Sequence, residues 1–228
     1  AACTPNNNQS TFGTAGPVAS DQADLFIFIF WIAVVVFILV EGAIIYASIR
    51  YRRRSDSDKL PYQTHGNDKL EITWTIIPAL ILVAIAVPTL TDIWEQQNSA
   101  PTDRGEVLNV EAIGHQWWFE FEYPDAGNGK HIITANEMRI PVDRPITTNL
   151  ESDEVIHSFW VPKLAGKLDM VPTHINKMWF QADSDKIDDD LPVTLFGTCA
   201  ELCGLAHALM RFRVTVMEQT DFDSWAAA

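Results

Sequence analysis

Twelve residues near the C-terminal end concentrate soft metal donors. The segment Cys199-Ala200-Glu201-Leu202-Cys203-Gly204-Leu205-Ala206-His207-Ala208-Leu209-Met210 holds two thiols, an imidazole and a thioether. Sulfur and imidazole ligands suit copper, whereas a hard cation calls for carboxylates and carbonyls. A structural zinc site wants four strong Cys or His ligands, and the thioether of Met210 argues against one. Two cysteines four positions apart do not easily build two separate sites, but they can share their thiolates between a pair of metal ions. Each ion then needs a terminal imidazole. His207 offers one. His157, in the strand-like run Val155-Ile156-His157-Ser158-Phe159-Trp160-Val161-Pro162, is the best candidate for the other. The competing reading is a Cys199–Cys203 disulfide, which an oxidising compartment would permit. The cysteine pair alone favours the disulfide; His207 and Met210 in the same segment turn the balance toward metal. His157 alone would more often be a packed polar residue among aromatics.

These donors need a rigid frame, and the sequence around them reads as short strands. Leu108, Val110 and Ala112 alternate with Asn109 and Glu111. Trp117, Phe119 and Phe121 alternate with Trp118, Glu120 and Glu122. Met210, Phe212, Val214 and Val216 alternate with Arg211, Arg213 and Thr215. A period of two marks half-buried antiparallel strands. Turn formers such as Pro124-Asp125-Ala126-Gly127-Asn128-Gly129 separate the runs. With no clear helical segment in this stretch, residues 95–228 predict an all-β sandwich or barrel.

Upstream, the chain changes character. Leu25–Ile49 and Ile72–Ile93 are apolar runs, the first interrupted by Glu41 and the second containing Pro78 and Pro88. About 20 apolar residues span a membrane, and prolines inside such a helix are tolerated there. Residues 21–94 therefore predict a transmembrane hairpin. All six basic residues of that part, Arg50, Arg52, Arg53, Arg54, Lys59 and Lys69, fall in or beside the connecting loop. The positive-inside rule puts that loop in the cytoplasm, with the N-terminus and the strand-rich part outside. Residues 1–20 read as a flexible lead-in. No cleavable signal peptide is evident. Ala1-Ala2-Cys3 resembles the end of a bacterial lipoprotein cleavage site, which would leave Cys3 lipid-modified; a free or crosslinked thiol in a disordered tail is the alternative.

The 228 residues carry a net charge of −14. From Glu95 onward there are 22 acidic and 10 basic side chains, a balance of −12. Such a surface argues against nucleic acid, whose phosphates call for Lys and Arg. It suits a basic protein partner or simply solubility.

On these residues the chain resembles subunit II of the heme-copper cytochrome c oxidases, with their binuclear CuA centre. The segment from Cys199 to Met210 matches the family pattern C-x-E-x-C-G-x-x-H-x-x-M in full. Val155-Ile156-His157-Ser158, Gly114-His115-Gln116-Trp117 and Glu71-Ile72-Thr73-Trp74-Thr75-Ile76-Ile77-Pro78 match as well, and the likeness runs from about residue 21 to 217. It implies a cupredoxin-like Greek-key barrel behind a two-helix membrane hairpin, in a bacterial respiratory membrane. It implies two copper ions, with Cys199 and Cys203 as bridging thiolates, His157 and His207 as terminal imidazoles, Met210 as a weak axial ligand and Glu201 giving its backbone carbonyl. The Glu201 side chain is expected to help bind magnesium at the boundary with subunit I.

The resemblance also implies partners. Cytochrome c or a similar donor delivers electrons, and subunit I and other oxidase subunits receive them and reduce oxygen with proton translocation; this chain alone does not. Electrons enter at Trp117 in the family, whereas the alternation places Trp118 on the acidic face with Glu120 and Glu122; a β-bulge would reconcile the two. Asp125, Glu151, Asp153 and Glu154 extend the acidic patch, while Asp188-Asp189-Asp190 reads as a loop. Glu71 marks the mouth of a proton-uptake path in the family, and also suits a helix N-terminus. Lys167 and Asp169 match positions near subunit I, and His174 falls where an arginine or histidine is usual. Glu41 has no assigned role; at mid-span it should face a partner helix or water. The alternatives are a copper-free quinol oxidase subunit, which the intact donors oppose, a CuA subunit of a nitric oxide reductase type, and a membrane-anchored copper-handling protein, which would expose its ligands and lack Trp117, Trp118 and Trp160. A nitrous oxide reductase would need a large second domain.

Overall fold

The computed structural model describes residues 7–53, 62–63, 65–97, 100–126, 129–187 and 190–228. Two compact units result. One comprises Asp24–Thr91; the other joins Asp92–Ala228 to the N-terminal stretch ending at Ala23.

The first unit is helical. α1 spans Pro17–Arg50, beginning in the other unit, and α2 spans Asp68–Gln97. Each is long and apolar enough to cross a membrane. α2 runs through Pro78 and Pro88 without ending. Arg50 closes the last turn of α1 with Arg52 and Arg53 after it, whereas Arg54 and Lys59 of the basic loop lie outside the described residues. Glu71 sits in the first turn of α2 beside Asp68, where the helix dipole favours a carboxylate.

The second unit is a two-sheet β structure. Its strands are β1 (Leu108–His115), β2 (Trp118–Tyr123), β3 (Ile132–Ala135), β4 (Glu137–Pro141), β5 (Ile146–Ser152), β6 (His157–Trp160), β7 (Leu168–Met170), β8 (Asn176–Phe180), β9 (Val193–Cys199) and β10 (Arg211–Met217). One sheet runs β3-β2-β1-β5-β8 and the other β4-β10-β9-β6-β7. Most neighbours are antiparallel, but β1 pairs with β5 and β10 with β4 in parallel. The crossing from sheet to sheet brings β6, β9 and β10 side by side, and these three strands frame the donor segment.

Alternation decides what is buried. Leu108, Val110 and Ala112 of β1, Phe119 and Phe121 of β2, and Phe212, Val214 and Val216 of β10 all face the core. Phe212 is its hub, with ring centroids 4.6 Å from Phe119, 4.9 Å from Phe159 and 5.3 Å from Phe121.

The expected absence of helix from this part is corrected at its end, where Gln219–Ala227 forms α3. α3 buries Phe222 and Ala226, and Trp225 meets the Tyr123 ring at 5.3 Å and the Arg139 guanidinium at 5.2 Å. The lead-in also differs from expectation in its described part. The Asn8 side chain donates to the Thr194 carbonyl, Ala15 donates to Lys163 and Asp183 donates to Ala15. Ser10, Ala15, Val18 and Ala19 are buried, so residues 8–20 are tied to the β unit. Cys3 lies outside the described residues, as do Gly127, Asn128, Asp188 and Asp189.

Candidate metal centre

β9 ends at Cys199 and β10 begins at Arg211, so the segment between them is the loop joining two adjacent antiparallel strands. The loop is closed by the Cys199 N–H, which donates to the Met210 carbonyl at 3.0 Å. A short 3-10 turn, His207–Leu209, lifts the His207 ring back toward the thiols. β6 runs antiparallel to β9, with Phe159 opposite Cys199, and this register delivers His157 from the neighbouring strand.

The donors converge. Cys199 Sγ lies 3.8 Å from His157 Nδ1 and 3.8 Å from Cys203 Sγ. Cys203 Sγ lies 3.6 Å from His207 Nδ1 and 3.7 Å from Met210 Sδ. Cys199 Sγ is 3.1 Å from the Glu201 carbonyl oxygen. A disulfide would need a sulfur separation of about 2.05 Å, and both cysteines are free. His157, Cys199 and Cys203 are buried and their donor atoms lie within 4.8 Å of one another. The pattern is two-ended. Each thiol has one imidazole nitrogen beside it, with a weak donor at either end: the Glu201 carbonyl near Cys199 and the Met210 thioether near Cys203.

Burial shifts two of these groups in opposite directions. It pushes the Cys203 thiol up to about 11, with the neighbouring Cys199 adding to the rise. A proton so held must leave before the sulfur can bind a cation. Burial also lowers His157 below the usual imidazole value, helped by His115 and His207, which keeps the ring in its neutral, ligating form.

The surroundings fix the donor side chains in place. A Cβ on Gly114 would sit 2.8 Å from His157 Cδ2 and 3.0 Å from its Cγ, so only glycine lets β1 pass so close behind that ring. Gly204, at φ +123, turns the loop just after Cys203. The Gln116 amide donates to the Cys203 carbonyl at 2.8 Å, and Trp117 Nε1 donates to the same oxygen at 3.2 Å. Spacing gave no sign of Gln116 or Gly114 in this supporting role, because both act across the fold.

Trp117 and Trp118 are not placed by strand alternation through a bulge. His115 pairs directly with Trp118, so Gln116 and Trp117 form the two-residue turn between β1 and β2. Trp117 leaves the strand there and packs half-buried against the core. Trp118 stacks on His115, centroids 4.4 Å apart, and His115 lies between Glu120 and Asp153 at 3.3 Å from each. Glu201 meets Lys167 at 3.9 Å, and Lys167 meets Asp169 at 3.7 Å. Glu71 lies in the helical unit. His174 is exposed in the connection between β7 and β8, with its N–H bonded to the Val171 carbonyl.

Comparison with known proteins bears directly on this geometry. The family model for the transmembrane domain of cytochrome c oxidase subunit II matches residues 5–91, and that for the periplasmic domain of the same subunit matches residues 126–217. The chain belongs to the cytochrome c oxidase subunit II family. Cytochrome c oxidase subunit 2 of Alkalihalophilus pseudofirmus is 36% identical over 98% of this chain and 63% of that protein. Quinol oxidase subunit 2 of Bacillus subtilis is 35% identical over 96% of this chain and 66% of that protein. The solved periplasmic domain of subunit II from Bradyrhizobium japonicum is 31% identical, with a TM-score of 0.46, over 52% of this chain and 89% of that one. The chain thus spans about six-tenths of the length of curated relatives such as the first. Two apolar helices followed by a cupredoxin-like β domain are the architecture of the subunit II family, and the donor cluster sits in the part matched to its periplasmic domain.

Proposed function

We propose that this chain is the subunit through which electrons enter a membrane-bound terminal oxidase, taking them from a cytochrome c-type donor and passing them to heme in subunit I, where oxygen is reduced and protons are moved. The single observation that carries the reading is the two-ended donor cluster. Two thiols, each with its own imidazole, and a thioether and a carbonyl at opposite ends fit a pair of copper ions better than one. Bound there, the copper pair would supply a one-electron relay.

The chain's own residues do the rest. Cys199 and Cys203 would bridge, and His157 and His207 would terminate the pair, with Met210 and the Glu201 carbonyl as weak ligands. Strands β6, β9 and β10 hold them so that little has to move when charge changes, and burial keeps bulk water from the thiols. Trp117, hydrogen-bonded to the Cys203 carbonyl, is the route by which electrons arrive, and Trp118 with its acidic neighbours receives a basic donor. Glu71 takes up protons at the inner end of α2. Magnesium requires several oxygen ligands. Glu201 offers one carboxylate beside Lys167, so the others must come from subunit I. A lipid on Cys3 would add a second anchor outside the membrane.

A quinol oxidase role is the second reading, favoured by the likeness to quinol oxidase subunit 2 of Bacillus subtilis. The full chain, purified, copper-loaded and partly reduced, separates the two by electron paramagnetic resonance. A mixed-valence spectrum with more hyperfine lines than one copper nucleus can give supports the relay. A single localised copper, or none with Cys199 and Cys203 crosslinked, rejects it.

A further inference from the structure

Glu41 takes no part in the relay. It lies nine positions before Arg50 in α1, about 14 Å along the helix at 1.5 Å per residue. Half of a hydrocarbon core of about 30 Å is about 15 Å, so with Arg50 at the inner boundary Glu41 falls at mid-depth. It is the one charged residue between Asp24 and Arg50. Its side chain is exposed, and it makes no hydrogen bond or ion pair with any described residue. The hydroxyls of Thr73, Thr75, Thr89 and Thr91 on α2 are committed to carbonyls of their own helix. A carboxyl group at this depth is costly unless a donor meets it.

The next residue makes a second, independent point. Gly42 stands inside a helix, where glycine is less stable than alanine. A Cβ there would meet nothing within 4 Å, so nothing among the described residues explains the missing side chain. A helix from outside, packing close enough to touch the Gly42 backbone, would explain it.

We propose that Glu41 and Gly42 mark the face on which α1 docks against a membrane-spanning helix of another oxidase subunit, one that presents a hydrogen-bond-donating side chain to Glu41. This rests on the oxidase reading above. At 100° per residue Ile38 and Ile45 project between Glu41 and Gly42 on the same face, and Val36 lies opposite.

The test places a benzophenone amino acid at Ile45, or at Val36, in the full chain within native membranes. Illumination should join the Ile45 probe to another polypeptide and the Val36 probe mainly to lipid. Adding Glu41→Leu should cut the Ile45 protein crosslink about fivefold or more, and Glu41→Gln should keep most of it, because an amide still accepts a hydrogen bond. Crosslinking of Ile45 only to lipid or to α2 of the same chain, equal protein yields from both probes, or a yield that Glu41→Leu leaves unchanged would each overturn the proposal. Heme in the complex purified through the unsubstituted chain is measured alongside. Its absence would remove the oxidase reading itself, whatever Ile45 joins.

Discussion

Trp117 donates its indole N–H to the carbonyl oxygen of Cys203, 3.2 Å away. One hydrogen bond therefore links a half-buried aromatic ring to the backbone of a metal-ligand candidate. Trp117→Phe keeps the ring and removes the bond. Oxidation of the donor should slow about tenfold or more under single-turnover conditions, while the copper spectrum stays as it was. Stopped-flow absorbance of the assembled oxidase measures both. An unchanged rate would move electron arrival to Trp118.

The Gly114 backbone lies close against His157, whose side chain is fully buried. Gly114→Ala forces a Cβ into a space 2.8 Å from Cδ2, an overpacking that costs about 1–3 kcal/mol. The apo chain should melt lower, and the hyperfine pattern of the loaded centre should change as His157 shifts. Thermal unfolding with a spectrum on the same sample checks the pair of effects. Normal values for both would mean that β1 yields instead of the ring.

The metal-free β unit should be most stable between mildly acidic and mildly alkaline pH. His157 is held below its ordinary 6.5, so as pH falls past that value the unfolded chain takes up a proton first, and stability drops. Cys203 is raised from 9.0 to about 11, so across that interval the unfolded chain loses a proton first, and stability drops as pH rises. Copper uptake should instead grow stronger with rising pH, since the thiols must release protons to bind. Chemical denaturation of the apo chain across pH, with His157→Gln and Cys203→Ser as comparisons, tests the assignment. Acid and alkaline limbs that survive these substitutions would belong to other groups.

With 22 acidic against 10 basic side chains from Glu95 onward, turnover with a basic donor should weaken as salt shortens the screening length to about 8 Å at physiological ionic strength and below that at higher salt. Steady-state rates across a salt series give the slope. A flat series would mean that the acidic face provides solubility and the donor docks by other contacts.

Much of this was legible in the sequence because it is local. The period of two along Met210, Phe212, Val214 and Val216 is a property of a single strand, and the structure buries all four. The two apolar runs became helices for the same reason. Non-local features were harder. Trp117 breaks the alternation because the hairpin turns at Gln116 and Trp117, a fact set by the register of β1 against β2. α3 carries no side-chain cap and only nine residues, too few to show a periodic stripe, and it is held by Tyr123 and Arg139 from elsewhere. The parallel pairing of β1 with β5 leaves no trace in either strand. At the site, four donors in one segment announced metal chemistry, but the approach of His157 to Cys199 spans 42 positions. On the residues alone His157 is only the best remaining imidazole, and the family likeness gives it its role.

The donor loop has one more implication, for how the protein matures. Cys199, Cys203, His207 and Met210 lie within twelve residues of one another along the chain. His157 joins them only after β6 has paired with β9. If the centre takes copper, a nascent chain would offer these four donors first, and the site would not be enclosed until the sheet is built. Complete occupancy would then report that β6 and β9 have paired correctly.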